Sequence, residues 1–363
     1  MKEEPSIQDL SKSSYFTSLP ERAPSSLQIQ EEGLALTSFD GAQLSAKWTF
    51  PEGSTQGILL LLPGSGTVGI DGDLSSPLLG CGYQGAPAKL SDQLAHYLAT
   101  HGLASFRYAK RGFDDPAQTL NQTQPFLLND SLAAFQFIRR QYPQMKVGIV
   151  GFSEGALLAA LLAIQEPVDG LFLLSLLTRS LREAIEYQFL EWPIQLLKRK
   201  LTFSGKKENA SSFQNVQLPL LGPGFQGVPW QTVTPDLRDP HCLERDLIPA
   251  YRKNFEIVES LLASPAFSGW FQSFNTLPSF SQLAQKISAP MYVYQGSEDA
   301  QFPSSLVEAD QVHFKSCKAF RLFQGLGHCF SPMEGPLGER KTSGPFDPTL
   351  LEAVTTDIIR TFS

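Results

Sequence analysis

Short apolar runs alternate with polar, helix-like stretches along most of this chain. Leu34, Leu36, Leu44 and Trp48 are the apolar positions of 28–49, and Asp40-Gly41 between them is a hairpin turn signal. From residue 57 the rhythm becomes strand, turn, helix. Ile58 to Leu62 is a continuous apolar run closed by Pro63-Gly64, as suits a strand covered on both faces. Further strands are expected at 103–108, 147–150, 171–177, 291–294 and 320–323. Helices are expected at 88–101, 156–164 and 350–361, and over a stretch ending near Gln141 with Asn129 and Asp130 as candidate caps. This alternation predicts an α/β fold, with a mainly parallel central sheet and helices on both faces.

Two segments break the rhythm. Residues 1–27 are rich in Ser, Pro, Glu and Gln and read as a polar lead-in. Residues 178–287 open with charged helical sequence, pass through Gly- and Pro-rich sequence around 219–229, and carry a helical stretch at 244–263. Their aromatic residues include Trp192, Trp230, Trp270, Phe271 and Phe274. This segment reads as an inserted helical cap, leaving 28–177 and 288–363 as one core.

Composition narrows the partners. Hydrophobic residues make up 42% and charged residues only 18%, which suits an ordered chain with a large core. The formal net charge is -7 and no long basic cluster appears, so nucleic acid is not an expected partner. The longest apolar runs, 58–62, 156–164 and 171–174, are too short to span a bilayer. The N-terminus has no apolar stretch of signal-peptide length, so a cytoplasmic location is expected. Cys81, Cys242, Cys317 and Cys329 show no C-x-x-C spacing, and no disulfide framework, metal or cofactor is expected. Cys329 beside His328 makes no chelating pair, because adjacent residues rarely hold one ion. The sequence sets no oligomeric state.

The strongest chemical signal is Gly151-Phe152-Ser153-Glu154-Gly155, directly after a predicted strand and before a predicted helix. A tight turn there aims the serine hydroxyl away from the sheet, and side chains at the glycine positions would collide with the neighbouring strand or helix. A serine hydroxyl is a weak nucleophile and needs a base. Of His96, His101, His241, His313 and His328, only His328 follows a predicted strand at the sheet edge that carries Ser153. The imidazole needs an orienting carboxylate. Asp299, in Gly296-Ser297-Glu298-Asp299, follows the strand at 291–294 and is preferred to the adjacent Glu298. Two backbone N–H groups must meet the oxyanion. Glu154, after the nucleophile, supplies one, and the loop Pro63-Gly64-Ser65-Gly66 supplies the other, with Ser65 as the candidate. That loop also fits G-x-G-x-x-G over 64–69, but loop sequence follows it where a nucleotide-binding turn would open a helix.

Taken together, Pro63-Gly64-Ser65-Gly66, Arg107-Tyr108-Ala109-Lys110-Arg111-Gly112, Gly-Phe-Ser-Glu-Gly, Gly-Ser-Glu-Asp and Gly-His resemble the α/β-hydrolase fold. The likeness is to bacterial esterases related to dienelactone hydrolases and prolyl-oligopeptidase-like hydrolases, and covers about 30–178 and 288–363. The resemblance implies an eight-stranded sheet and metal-free acyl-enzyme catalysis. It implies Ser153, Asp299 and His328 as a triad, with Ser65 and Glu154 at the oxyanion site. Pro63 stands where that family usually has His, and Ala109 where it usually has Asp. The expected reaction is hydrolysis of a small-molecule carboxylic ester with an apolar moiety. Thioester or peptide cleavage on the same triad stays open, as does a non-catalytic ligand-binding role on the same fold.

Overall fold

The structure, a computed structural model, describes residues 29–73, 89–195, 241–265, 267–332 and 345–363, with 198, 218–219, 232–233 and 239. The predicted lead-in at 1–27 lies outside these residues. Eight strands form one sheet: β1 (Gln30–Thr37), β2 (Gln43–Phe50), β3 (Ile58–Leu62), β4 (Ala104–Tyr108), β5 (Val147–Phe152), β6 (Gly170–Leu174), β7 (Met291–Gly296) and β8 (Cys317–Phe323). Their spatial order is β1-β2-β4-β3-β5-β6-β7-β8. The β1–β2 and β2–β4 pairs are antiparallel, and every later pair in the order is parallel. This is the sheet of the α/β-hydrolase fold. The chain leaves β3 for β4 on one side and returns to β5 on the other. Loops after β3 and β5 therefore diverge over a crevice, where open α/β sheets bind ligands.

Helices cover both faces, which is why the central strands read as unbroken apolar runs. Ile58, Leu60 and Leu62 pack with α2 (Gln124–Gln141) and α3 (Glu154–Gln165), while Leu59 and Leu61 face α1 (Leu90–Ala99) and α9 (Pro348–Phe362). Several predicted boundaries move, and two of the shifts bear on the site. Helix α2 begins at Gln124, after Thr123 and with a proline in its first turn, so Asn129 and Asp130 lie inside it and cap nothing. Asp130 turns inward instead, accepting from Ser38 Oγ and Arg111 Nη2, both at 2.5 Å. Strand β6 stops at Leu174 because Ser175 has φ 51° and leaves the extended region.

Within 178–287, the described residues form α4 (Leu181–Glu186), α5 (Ile248–Leu262), α6 (Ser268–Asn275) and α7 (Phe280–Ala284), plus the two-residue pair Leu218–Pro219 with Thr232–Val233. Phe189, Val258, Leu262, Phe274 and Phe280 join the same hydrophobic cluster as α3. Helix α8 (Ser304–Asp310) lies between β7 and β8 in the chain.

Candidate active site

Ser153 sits between β5 and α3 with φ 56° and ψ -119°. A non-glycine residue at positive φ costs energy and persists only where its surroundings enforce it. Here they do. Ser153 N–H donates to Leu174 O at 2.9 Å, and Ala156 N–H returns to Ser153 O at 2.9 Å. The flanking glycines let backbones close in. A Cβ at Gly151 would meet Ala156 Cα at 2.6 Å, and one at Gly155 would meet Pro63 O at 2.6 Å. The motif's glycines thus bring α3 down onto β3 and β5.

His328 lies after β8 in a loop folded back on itself. Gly327 N–H donates to Ser331 O at 2.9 Å and Phe330 N–H to Gly327 O at 3.0 Å. The imidazole Nδ1 is 2.9 Å from Asp299 Oδ2. Asp299 is fully buried, and its charge is compensated by four contacts. Oδ2 also accepts from Gln295 Nε2 at 2.8 Å, while Oδ1 accepts from the N–H groups of Gln301 and Phe302 at 2.7 and 3.0 Å. Glu298, the rival acid, donates its backbone N–H to Leu326 O, and the carboxylate facing the imidazole is that of Asp299. The rings of Phe152 and Phe302 flank the imidazole at 5.3 and 5.0 Å. The structure thus brings His328 and Asp299 into contact, and sets the residue before Ser153 against the imidazole. No hydrogen bond joins Ser153 Oγ to Nε2 among the described residues. Such bonds are often long before substrate arrives.

Of the two candidate oxyanion donors, Glu154 follows Ser153 in the chain and Ser65 lies on a loop that passes beside it. A Cβ on Gly64 would sit 3.3 Å from Ser153 Cβ, so the loop carrying Ser65 touches the serine. Neither Ser65 N–H nor Glu154 N–H donates to a backbone carbonyl among the described residues. The first-turn position of Glu154 in α3 leaves its N–H without an intrahelical acceptor and favours negative charge nearby.

Three supporting residues escaped the sequence reading. Lys110 Nζ reaches Glu154 Oε2 at 2.6 Å and Gly64 O at 3.0 Å. Trp270 of α6 donates from Nε1 to Glu154 Oε1 at 2.7 Å, and Ser175 Oγ donates to His328 O at 2.6 Å. Lys110 lies two residues past the buried strand β4, which hints at a buried ammonium. Nothing in local sequence pointed to the other two.

A cavity of about 360 Å³ lies between α3, the segment after β6, and α6 and α7, with Leu157, Leu177, Leu181, Phe274 and Phe280 in its wall. Ser153 and His328 do not line it. Elsewhere, Glu31, Asp92 and His96 lie close enough to share an ion, but Arg107 Nη2 already stands 2.8 Å from Glu31 and 3.0 Å from Asp92. Cys242 is buried and Cys317 and Cys329 are half-buried, while Cys81 lies outside the described residues. After the G-x-G-x-x-G match at 64–69, already disfavoured by the loop sequence that follows it, the described residues make a turn at Gly69–Gly72.

Residues 85–332 match a family model described as serine aminopeptidase, S33 (Hydrolase_4). The esterase EstD of Thermotoga maritima is 26% identical over 147 residues, which are 40% of this chain and 33% of that protein. The match therefore spans about one third of the relative's length. Among solved structures, Est1E from Butyrivibrio proteoclasticus aligns over 91% of this chain and 98% of its own, with a TM-score of 0.52 at 14% identity. A protein of unknown function from Staphylococcus aureus aligns over the same shares with a TM-score of 0.50 at 13% identity. At such identities the likeness speaks for the fold.

Proposed function

This chain belongs to the serine aminopeptidase S33 family of α/β hydrolases, and from that premise we propose that it hydrolyses carboxylic esters through an acyl-enzyme on Ser153. The reading rests chiefly on the Asp299–His328 contact at 2.9 Å, made at the sheet edge where Ser153 stands in a strained turn. Asp299 holds Nδ1–H, which leaves Nε2 as the basic nitrogen. His328 takes the Ser153 proton as Oγ attacks the acyl carbon. The carbonyl oxygen becomes an oxyanion between the N–H groups of Ser65 and Glu154. His328 then protonates the departing alkoxide, releasing an alcohol. A water gives its proton to Nε2 and its oxygen to the acyl carbon, and the acid leaves as Ser153 regains its hydrogen.

Residues 178–287 act in this scheme as a cap over the site. Trp270 of this segment reaches Glu154, the residue after the nucleophile, and an aromatic ring there supports a substrate with an apolar acyl or alcohol group. The family's description as an aminopeptidase favours one second reading, cleavage of an aminoacyl amide by the same groups. Hydrolysis of p-nitrophenyl acetate and butyrate, aminoacyl p-nitroanilides and an acyl thioester separates these. Ser153→Ala should lose turnover by about 10⁴-fold or more and take no fluorophosphonate label. A Ser153→Ala variant within tenfold of an active wild type removes Ser153 from the mechanism.

A further inference from the structure

We propose that Lys110 is a positioning residue for the oxyanion site, setting the plane of the Gly64–Ser65 peptide through its ammonium. The inference rests on the acyl-enzyme reading above. Lys110 directly follows Tyr108 and Ala109 at the end of β4, and its side chain is 3% exposed. Its Nζ contacts both halves of the site: Gly64 O at 3.0 Å, and Oε2 of Glu154, the residue after the nucleophile, at 2.6 Å. Its backbone N–H donates to Val68 O at 2.9 Å, so the loop after β3 is stapled to this one residue twice.

The orientation follows from covalent geometry. Gly64 C=O and Ser65 N–H belong to one planar unit, and no cis peptide occurs among the described residues. In a trans peptide these two groups point in opposite directions. Drawing Gly64 O towards the ammonium turns Ser65 N–H away from it, on the loop that touches Ser153 Cβ. A glycine at 64 could otherwise rotate this peptide at small cost. Hydrogen-bonding the carbonyl to a cation also polarises the unit and strengthens its N–H as a donor. Glu154 fixes the ammonium in turn. Its carboxylate is fully buried and also accepts from Gln124 Nε2 at 2.5 Å and Trp270 Nε1 at 2.7 Å. The lysine side chain is thereby clamped between the carbonyl side of the Gly64–Ser65 peptide and the Glu154 carboxylate.

The competing account is that Lys110 only neutralises the buried Glu154. Removing one partner of such a pair leaves an uncompensated charge, so Lys110→Met alone would not discriminate. The double variant Lys110→Met with Glu154→Gln removes both charges together. We expect it to unfold cooperatively, to keep KM for p-nitrophenyl acetate within about threefold, and to lose about 10²-fold in kcat, the scale of a lost oxyanion donor. Affinity for an aryl trifluoromethyl ketone should fall by a similar factor. Ser153 Oγ adds to that ketone, its proton passes to His328, and the oxyanion occupies the site. A double variant with kcat and ketone affinity within threefold of wild type overturns the proposal. If the double variant does not fold, crystals of the wild-type ketone adduct decide. Ser65 N–H on the adduct oxygen, with Lys110 on Gly64 O, supports the inference, and the opposite peptide orientation overturns it. Wild type that cleaves no ester and takes no fluorophosphonate label instead brings down the hydrolase reading itself, and this inference with it.

Discussion

Ser175 Oγ donates a hydrogen bond of 2.6 Å to the backbone carbonyl of His328, although the two residues lie in different strand-end loops. Ser175 adopts φ 51° and donates its own N–H to Tyr294 O at 2.9 Å. A strained residue thus ties the histidine loop to the end of β6, beside the strand that leads to Asp299. Ser175→Ala should keep the fold and lower kcat for p-nitrophenyl acetate by roughly fivefold, the scale of one hydrogen bond, with KM little changed. Ser175→Gly should relax the backbone and raise stability relative to the alanine variant while sharing its kinetic defect. Thermal unfolding and kinetics of the two variants check both statements.

Asp299 is the carboxylate that meets the imidazole, and Gln295, Gln301 and Phe302 fix its orientation. Asp299→Asn should lower kcat by about 10³- to 10⁴-fold, because an amide stabilises the wrong histidine tautomer. Glu298→Gln should cost less than tenfold. The reverse ranking in a kinetic comparison would move the acid to the neighbouring position.

Gly296 lies where the acid strand passes under the histidine loop. A Cβ there would meet the carbonyl oxygens of Leu326 and Gly327, the latter at 2.5 Å. Backbone must shift to admit it. Gly296→Ala should therefore lower both the unfolding temperature and kcat, whereas Gly33→Ala, with nothing near its Cβ, should leave kcat unchanged. Parallel melting curves and ester assays test this contrast.

Trp270 is the direct hydrogen-bond link from α6 to the residue after the nucleophile. Trp270→Phe keeps an aromatic ring but removes the N–H donated to a charged acceptor, together with the second ring of the indole. About 1.5–3 kcal/mol of stability should be lost. Denaturant unfolding measures it, and faster proteolytic cleavage within 241–287 should accompany it.

Arg111 donates to Asp40 Oδ2 at 2.9 Å and holds that carboxyl below the usual carboxylate range, with slight burial opposing and the Ala42 N–H assisting. A depressed folded value means that the native state binds its proton later than the unfolded chain. The contribution is present above the ordinary carboxylate value of about 3.9 and is lost as pH falls through the lower folded value. Asp40→Asn should lower the unfolding temperature at pH 7, and the gap to wild type should narrow below about pH 4. Melting curves from pH 7 to pH 3 check the sign.

The strands and the nucleophile turn were legible because both are local matters. Ile58 to Leu62 is apolar throughout because helices cover both faces, and Gly151 and Gly155 are glycines because carbonyls and Cα atoms crowd them. The order Ser153, Asp299, His328 also followed from which strand ends precede each residue. Asn129 and Asp130 misled as caps, because Asp130 answers to Arg111 and Ser38, partners far away in sequence.

By itself the sequence determined the alternation of strand and helix, the glycine-bounded serine and the three candidate triad residues, since each depends on neighbours within a few positions. The tertiary structure alone decided that Gln295 and the N–H groups of Gln301 and Phe302 hold the Asp299 carboxylate, that Ser175 ties down the His328 carbonyl, and that Lys110 and Trp270 converge on Glu154. Those contacts join segments brought together only when the sheet closes and its helices dock. A buried charge or hydroxyl finds its partner by position in space, which no local pattern of residues encodes.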